Sequence, residues 1–340
     1  MLYGLGVSFR NLMYRIGALK SVEFDVPVIS VGNMSVGGTG KTPHIEYLIR
    51  WLDTYINIGV LSRGYGRKTI GFREVQVSDQ AEATGDEPLQ FKRKFPDTAV
   101  TVSESRALGI PQMLRLYPHT QCVLLDDAYQ HRAVRPGLNI LLTEYARPFY
   151  KDWLLPSGRL REWRSGYQRA DMIIVTKCPV DMTAEQRTAM IQKINPYPRQ
   201  KVFFSFYEYG TPWSLTLPTV AAPLTPGTDV LLLSAIANTD YLMSYLKRNV
   251  RSIHTVEHED HHFFDEADML DLKRRFRELP AGQRVVVTTE KDATRLDAWR
   301  DFLIKNDIQV VVLPVEVRFF GTDEAAFQTE VKHFLTDFKA

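Results

Sequence analysis

The sequence predicts an α/β protein: a doubly wound, mostly parallel sheet, with a second, smaller α/β domain joined to it by a hinge. Three observations point there. Short apolar runs alternate with helix-periodic stretches in both halves, and the runs are too continuous for half-exposed hairpins. A Pro-, Gly- and Thr-rich stretch at 206–228 has no helical period and suits a linker. The length, 340 residues, is about twice a usual domain, and 44% hydrophobic with 24% charged residues is an ordinary globular composition.

Taken in order, VPVISVGN (27–34) reads as a strand and IEYLIRWLDTY (45–55) as a helix. INIGVLS (56–62) and AVTVSE (99–104) are strands, followed by the helical ESRALGIPQMLRLY with Pro111 inside it. CVLLDD (122–127), LNILLTE (138–144) and DMIIVTK (171–177) complete the first set of buried parallel strands. After the linker come DVLLLSAIA (229–237), a helix TDYLMSYLKRN, IHTVE (253–257), a strongly helical FDEADMLDLKRRFREL, RVVVTTE (284–290) and IQVVVLPVEV (308–317). The expected division is therefore an N-terminal segment 1–20, a first domain 21–205, a hinge 206–228 and a second domain 229–340.

The N-terminal segment repeats Leu2, Leu5, Phe9, Leu12, Met13, Ile16 and Leu19 on one helical face, with Arg10 and Arg15 off it. Two readings stand: a helix packed on the domain, or an interfacial helix with its apolar face in a lipid boundary. Mid-segment charges speak against a secretory signal, and no run of 18 apolar residues is present to span a membrane. The formal net charge of +2, from 42 Lys+Arg against 40 Asp+Glu, gives no reason to expect nucleic-acid binding. An anionic partner must be held by local clusters. Two cysteines, Cys122 and Cys178, provide no disulfide framework and suit a reducing, cytoplasmic setting.

The chemistry starts at SVGGTGKT, Ser35 to Thr42, between a strand and a helix. Gly37, Gly38 and Gly40 allow successive N–H groups, including those of Val36 and Thr39, to turn toward phosphate. Lys41 adds a point charge for the β- and γ-phosphates and the Thr42 hydroxyl can ligate Mg²⁺. Ser35 replaces the usual first glycine of the motif. Asp126 and Asp127 end a buried strand, where paired acids are costly without a cation. A P-loop with acids at a strand end makes the fold P-loop NTPase-like and its ligand a nucleoside triphosphate. Thr176-Lys177-Cys178-Pro179 puts proline where a guanine-reading carboxylate would stand, which leaves ATP as the base choice.

Three further segments bear on the acceptor. TGDEP (84–88) puts Asp86 and Glu87 in what reads as a turn. LSRGYGRK carries Arg63, Arg67 and Lys68, and SGRLREWR carries Arg159, Arg161, Glu162 and Arg164; each is an anion site or a solvated face. His254, His258, His261 and His262 fall within nine residues, and three readings stay open: a metal site, a surface turn, or an imidazole supporting proton transfer.

In order along the chain, VGNMSVGGTGKTP, SRGYGR, TGDEP, LLDDAYQH, LPSGRLRE, the DHH segment and VVTTEKDATRL closely resemble the tetraacyldisaccharide 4′-kinases, the lipid A 4′-kinases. The resemblance implies ATP- and Mg²⁺-dependent transfer of the γ-phosphoryl group to the 4′-hydroxyl of a tetraacylated glucosamine disaccharide 1-phosphate, giving lipid IVA late in lipid A biosynthesis. It implies a peripheral protein at the cytoplasmic face of a Gram-negative inner membrane, with the N-terminal helix touching lipid and no obligate protein partner. Carried over by motif, Ser35 to Thr42 would cradle ATP, Asp86 would be the base for the hydroxyl, and His261 would orient it. Asp126 and Asp127 would be the Mg²⁺-associated acids, with Glu162 in the metal shell, and Arg63, Arg161 and Gln130 on the phosphate side. Ala128 stands where the family commonly has glycine. Asp86 and His261 flank the hinge, so domain closure is expected to complete the site. A P-loop switch or partition-type ATPase is the competing class, and a DHH-type phosphoesterase a third.

Overall fold

The structure is a computed structural model, described over residues 2–216, 224–280 and 282–339. Its strands are β1 (Val28–Asn33), β2 (Ile58–Ser62), β3 (Arg73–Glu74), β4 (Ala99–Val102), β5 (Cys122–Asp126), β6 (Leu138–Glu144), β7 (Met172–Thr176) and β8 (Lys201–Tyr209). Then come β9 (Trp213–Ser214), β10 (Asp229–Ser234), β11 (Ser252–Glu257), β12 (Arg284–Thr289), β13 (Val310–Leu313) and β14 (Val315–Phe319). The helices are α1 (Leu2–Arg15), α2 (Lys41–Leu52), α3 (Ala81–Thr84), α4 (Asp86–Lys94), α5 (Arg106–Leu116) and α6 (Ala184–Ile194). The later ones are α7 (Asp240–Asn249), α8 (Glu266–Glu278), α9 (Glu290–Leu296), α10 (Arg300–Lys305) and α11 (Asp323–Asp337).

Nine strands form the large sheet in the order β14-β8-β7-β6-β1-β5-β2-β4-β3. Its interior pairs are parallel, and antiparallel β3 and β14 close the two edges. The continuous apolar runs are what a sheet covered on both faces requires: β1, β2, β4, β5 and β7 are buried at every residue. The order of strand addition reverses at β1: β5, β2 and β4 lie on one side of it and β6, β7 and β8 on the other, all parallel. In open α/β sheets the crevice at such a reversal binds the ligand, and here the loop leaving β1 is the glycine-rich Ser35–Thr42 segment. The smaller sheet, β11-β10-β12-β13-β9, packs its own core around Leu231, Leu272 and Val310.

The doubly wound fold with a second, smaller α/β unit is therefore as expected, but its boundaries are not. Residues 206–209 continue β8 instead of starting a linker, and 217–223 lie outside the described residues. IQVVVLPVEV is not one strand. Pro314 ends β13, and the next strand, β14, leaves for the edge of the large sheet, since proline cannot donate to a ladder. Thus the expected second domain 229–340 ends near Leu313. The rest of the chain returns to the first domain, where Phe319 and Phe327 stack 5.0 Å apart in one cluster with Ile45 and Leu48 of α2. TGDEP also departs from the expected turn: Asp86 and Glu87 open α4, with Pro88 in its first turn, where proline costs no hydrogen bond.

Candidate active site

The P-loop is held from three sides. Asn33 donates to Thr39 Oγ1 at 2.7 Å, Thr176 Oγ1 donates to the Thr39 carbonyl at 2.9 Å, and the Val36 amide donates to Arg159 O at 2.8 Å. Thr176 thus braces the phosphate loop from the end of β7. Gly37 (φ 105°) and Gly40 (φ 88°) take the positive φ values that turn amides inward. The loop lines a cavity of about 490 Å³ between the two domains, closed on the far side by Ala237, Asn238 and Tyr241 of the smaller unit.

The two strand-end acids have separate environments. Asp127, at φ 45°, accepts from Arg161 at 2.8 Å and lies 3.8 Å from Lys41. Burial would raise its carboxyl, but Lys41, Arg161 and Arg106 outweigh that and hold it well below the usual carboxylate range. Asp126 is buried deeper. Ser62 donates to its Oδ2 at 2.8 Å, while Oδ1 has no partner. Burial, reinforced by Glu87 and Asp127, pushes its carboxyl up to about 7 against the pull of Lys41. A buried carboxylate oxygen without a hydrogen-bond partner, in the field of Lys41 and next in the chain to the cavity-lining Asp127, is a cation ligand's chemistry, so the residues fit a divalent ion.

Glu162 does not share that position. Its oxygens accept from Arg169 at 2.8 and 2.9 Å and from Gln130 at 2.9 Å, so the expected metal-shell acid is already satisfied by a guanidinium. Gln130 also donates to Asn33 O at 2.7 Å and so ties this pair to β1. Arg161 faces the cavity, whereas Arg63 is exposed beside Arg106 and His131.

The acceptor side is built across the domain seam. His261 Nδ1 is 3.0 Å from Asp86 Oδ2. Asp86 is 4% exposed, and the same oxygen accepts from Arg295 at 3.1 Å, while Oδ1 accepts the Glu87 amide at 2.9 Å. Burial would raise the Asp86 carboxyl, but the His261 hydrogen bond and the charges of Lys291 and Arg295 bring it down to about 2. It is an ionised acceptor, so His261 donates through Nδ1. His261 itself edges the cavity, at φ 65° and 4.9 Å from the Tyr65 ring. Asp86 and His261 already touch in this structure, so bringing those two together needs no domain movement from it.

The histidine cluster divides. His262 Nε2 pairs with Asp268 at 2.7 Å and stacks on His258 at 4.4 Å, which pins the loop to the start of α8. Those three residues also offer ligand atoms within 4.8 Å of one another. His254 points outward from β11. Sequence reasoning gave no role to Lys291, Asp292 or Arg295, although VVTTEKDATRL was singled out. Asp292 accepts from Arg295 and from the Ala235 amide at 3.2 Å, which fixes the arginine against Asp86. The signal was the charged triad at the start of a helix directly after a buried strand.

A P-loop at the reversal point, acids at the neighbouring strand end and a carboxylate–imidazole pair across the cavity define a P-loop phosphotransferase. The tetraacyldisaccharide-1-P 4′-kinase family model matches residues 1–336. A Bacteroides fragilis tetraacyldisaccharide 4′-kinase is 41% identical over 97% of this chain and 90% of its own length. One from Flavobacterium johnsoniae is 43% identical over 94% and 91%. The crystal structure of LpxK from Aquifex aeolicus in complex with ATP superposes with a TM-score of 0.74 at 27% identity, covering 98% of this chain and 96% of that one. The chain belongs to the tetraacyldisaccharide 4′-kinase family, and a switch ATPase is not the class these likenesses favour.

Proposed function

We propose that this chain transfers the γ-phosphoryl group of ATP to the 4′-hydroxyl of a tetraacylated glucosamine disaccharide 1-phosphate at the cytoplasmic face of the inner membrane. The observation that carries the reading is the Asp86–His261 pair, 3.0 Å apart, whose His261 edges the cavity that the P-loop lines. The acceptor oxygen forms the new P–O bond to the γ-phosphorus as the bond to the β-phosphate oxygen breaks and ADP leaves. The hydroxyl proton passes to the pair. His261 lines the cavity and the buried Asp86 does not, so the imidazole is the nearer acceptor, and Asp86 orients the ring. That exchanges the roles expected from the sequence motif. Lys41 and Arg161 offset charge on the transferring oxygens, where positioning and electrostatics do most of the catalysis.

Mg²⁺, when bound, would supply further charge neutralisation, and Thr42 with Asp126 would hold it. Asp127, which lines the cavity, is paired with Lys41 and Arg161 and would stand beside the ion. Support for membrane contact comes from α1. Leu5, Phe9 and Ile16 are 65, 65 and 61% exposed, whereas Gly4 faces Leu154 and Trp163 of the body. No helix of the described residues is long and apolar enough to cross a membrane.

The test is label transfer from γ-labelled ATP. Label should enter a chloroform-soluble disaccharide, and Asp86→Ala or His261→Ala should cut turnover by roughly two or more powers of ten. Phosphate release without lipid labelling, or turnover untouched in both variants, would overturn the reading.

A further inference from the structure

Lys291, at the start of α9, stands at the meeting point of the two domains. Its ammonium is 3.2 Å from His261 Nε2, 3.3 Å from Glu87 and from Asp260, and 3.9 Å from Asp86. Burial disfavours the charge, but Glu87, Asp86 and Asp260 outweigh it, so the side chain stays protonated. An ammonium has three donors and no acceptor, and at 3.2 Å it can only donate to Nε2. On the opposite edge of the ring, Nδ1 faces the ionised Asp86, which can only accept. One form of the ring makes hydrogen bonds to both partners: the proton on Nδ1 and the Nε2 lone pair bare. The other neighbours are Asp260, 3.8 Å from Nε2, and the Tyr65 ring. Arg295 stands behind Asp86.

We propose that Lys291 is a positioning residue that keeps His261 Nε2 free of a proton, and that its N–H marks the place from which the acceptor hydroxyl addresses that nitrogen. The inference rests on Asp86 and His261 being the proton-accepting pair. When the hydroxyl enters, Lys291 withdraws onto Glu87 and Asp260 and the O–H takes over its hydrogen bond. The proton moves to Nε2 as the oxygen bonds to phosphorus. Asp86 then faces an imidazolium, which returns its proton to solvent after product leaves, and Lys291 keeps its own protons throughout.

The experiment is ¹⁵N NMR of the full chain labelled at the histidine rings, at neutral pH, with the His261 signals assigned by their loss in His261→Gln. The parent protein should show His261 with a protonated Nδ1 and a bare Nε2. In Lys291→Met the ring keeps two carboxylates and loses its cation, so a doubly protonated ring should replace the bare form. Turnover at pH 7 should fall about ten-fold with KM for ATP within about two-fold, and the deficit should shrink as pH is raised. Lys291→Arg, which keeps a cationic donor, should restore the bare Nε2 and most of the turnover. A parent spectrum with Nε2 protonated, or a Lys291→Met spectrum unchanged from the parent, overturns the inference. The parent spectrum decides even if Lys291→Met fails to fold. Full turnover in Asp86→Ala and His261→Ala would instead sink the underlying pair assignment, so the two failures are separable.

Discussion

Gly40 shows how little freedom the phosphate loop has. It sits at φ 88° as the cap of α2, and a Cβ there would collide with the Tyr207 hydroxyl. Tyr207 comes from β8, one of the strands that the chain reaches only after crossing most of the large sheet. Gly40→Ala pays a left-handed backbone cost of about 1 kcal/mol or more and displaces an aromatic ring. It should therefore weaken ATP binding at least about ten-fold, read by calorimetry, while Gly38→Ala, whose Cβ would meet only Ala237 at 3.6 Å, should be milder. At this scale the sequence was generous where one motif holds all its partners. Ser35 to Thr42, Asp126 and Asp127 could be named from local patterns, whereas Asp86 and His261 were named only through the family resemblance. Lys291 and Arg295 could not be assigned, because their partners, His261 and Asp86, lie on other elements and no spacing rule links them. Glu162 was only half legible for the same reason: its acid character shows in the sequence, but its Arg169 partner is found only in three dimensions.

At the level of elements, α4 and α9 form a seam of complementary charge. Asp86 pairs with Arg295, Glu87 with Lys291, Lys94 with Glu290, and Arg93 with Asp297 just beyond α9. One acid is in excess. Lys94 lies 2.7 Å from Glu46 of α2 and 2.8 Å from Glu290, so two carboxylates share one ammonium. Burial, and then the Glu290 charge, push the Glu46 carboxyl up to about 7 despite Lys94 and the Gln90 hydrogen bond. Its folded pKa is thus above its unfolded value near 4.5, so the folded state binds the proton more tightly. The contribution to stability is complete below about pH 4.5 and is lost as pH rises through about 7. Glu46→Gln removes that titration. The parent should lose stability between pH 5 and 8 relative to the variant, by on the order of 1–3 kcal/mol, measured as the difference between their thermal melting curves. Parallel curves would place the proton elsewhere in the triad. Element boundaries were also where the sequence was least legible. The run at 308–317 keeps strand character on both sides of Pro314, and hydropathy does not record that β13 and β14 belong to different sheets.

Taken as a whole, the chain threads its smaller domain through the larger one, since β14 and α11 return to the sheet that β8 left. The smaller unit is therefore tethered at both ends, by β8–β9 on entry and β13–β14 on exit, and it is held at the α4–α9 seam between them. The N-terminal helix joins this frame at the site itself. Tyr3 donates to Arg161 O at 2.9 Å and Arg10 to Gln130 O at 2.6 Å, while Trp163 donates to Ser8 Oγ at 2.8 Å. Each of those body residues is in, or beside, the group that faces or braces the P-loop. The helix buries Gly4, half-buries Val7, Asn11, Met13 and Tyr14, and leaves Leu5, Phe9, Leu12 and, just beyond it, Ile16 outside, with exposed Trp153 and Trp163 nearby. Such an exposed apolar row, with aromatic rings and arginines beside it, suits a headgroup boundary. A lipid acceptor would then meet the cavity at the depth the helix sets. Replacing Leu5 and Phe9 with serine leaves the bonds from Tyr3, Arg10 and Trp163 intact. It removes apolar area worth roughly 1.5–3 kcal/mol per side chain if each is fully buried in lipid. Co-sedimentation with anionic phospholipid vesicles should fall about ten-fold or more, and so should transfer to vesicle-borne acceptor, with ATP affinity unchanged. Undiminished sedimentation of the double variant would show that the exposed face is not what meets the membrane.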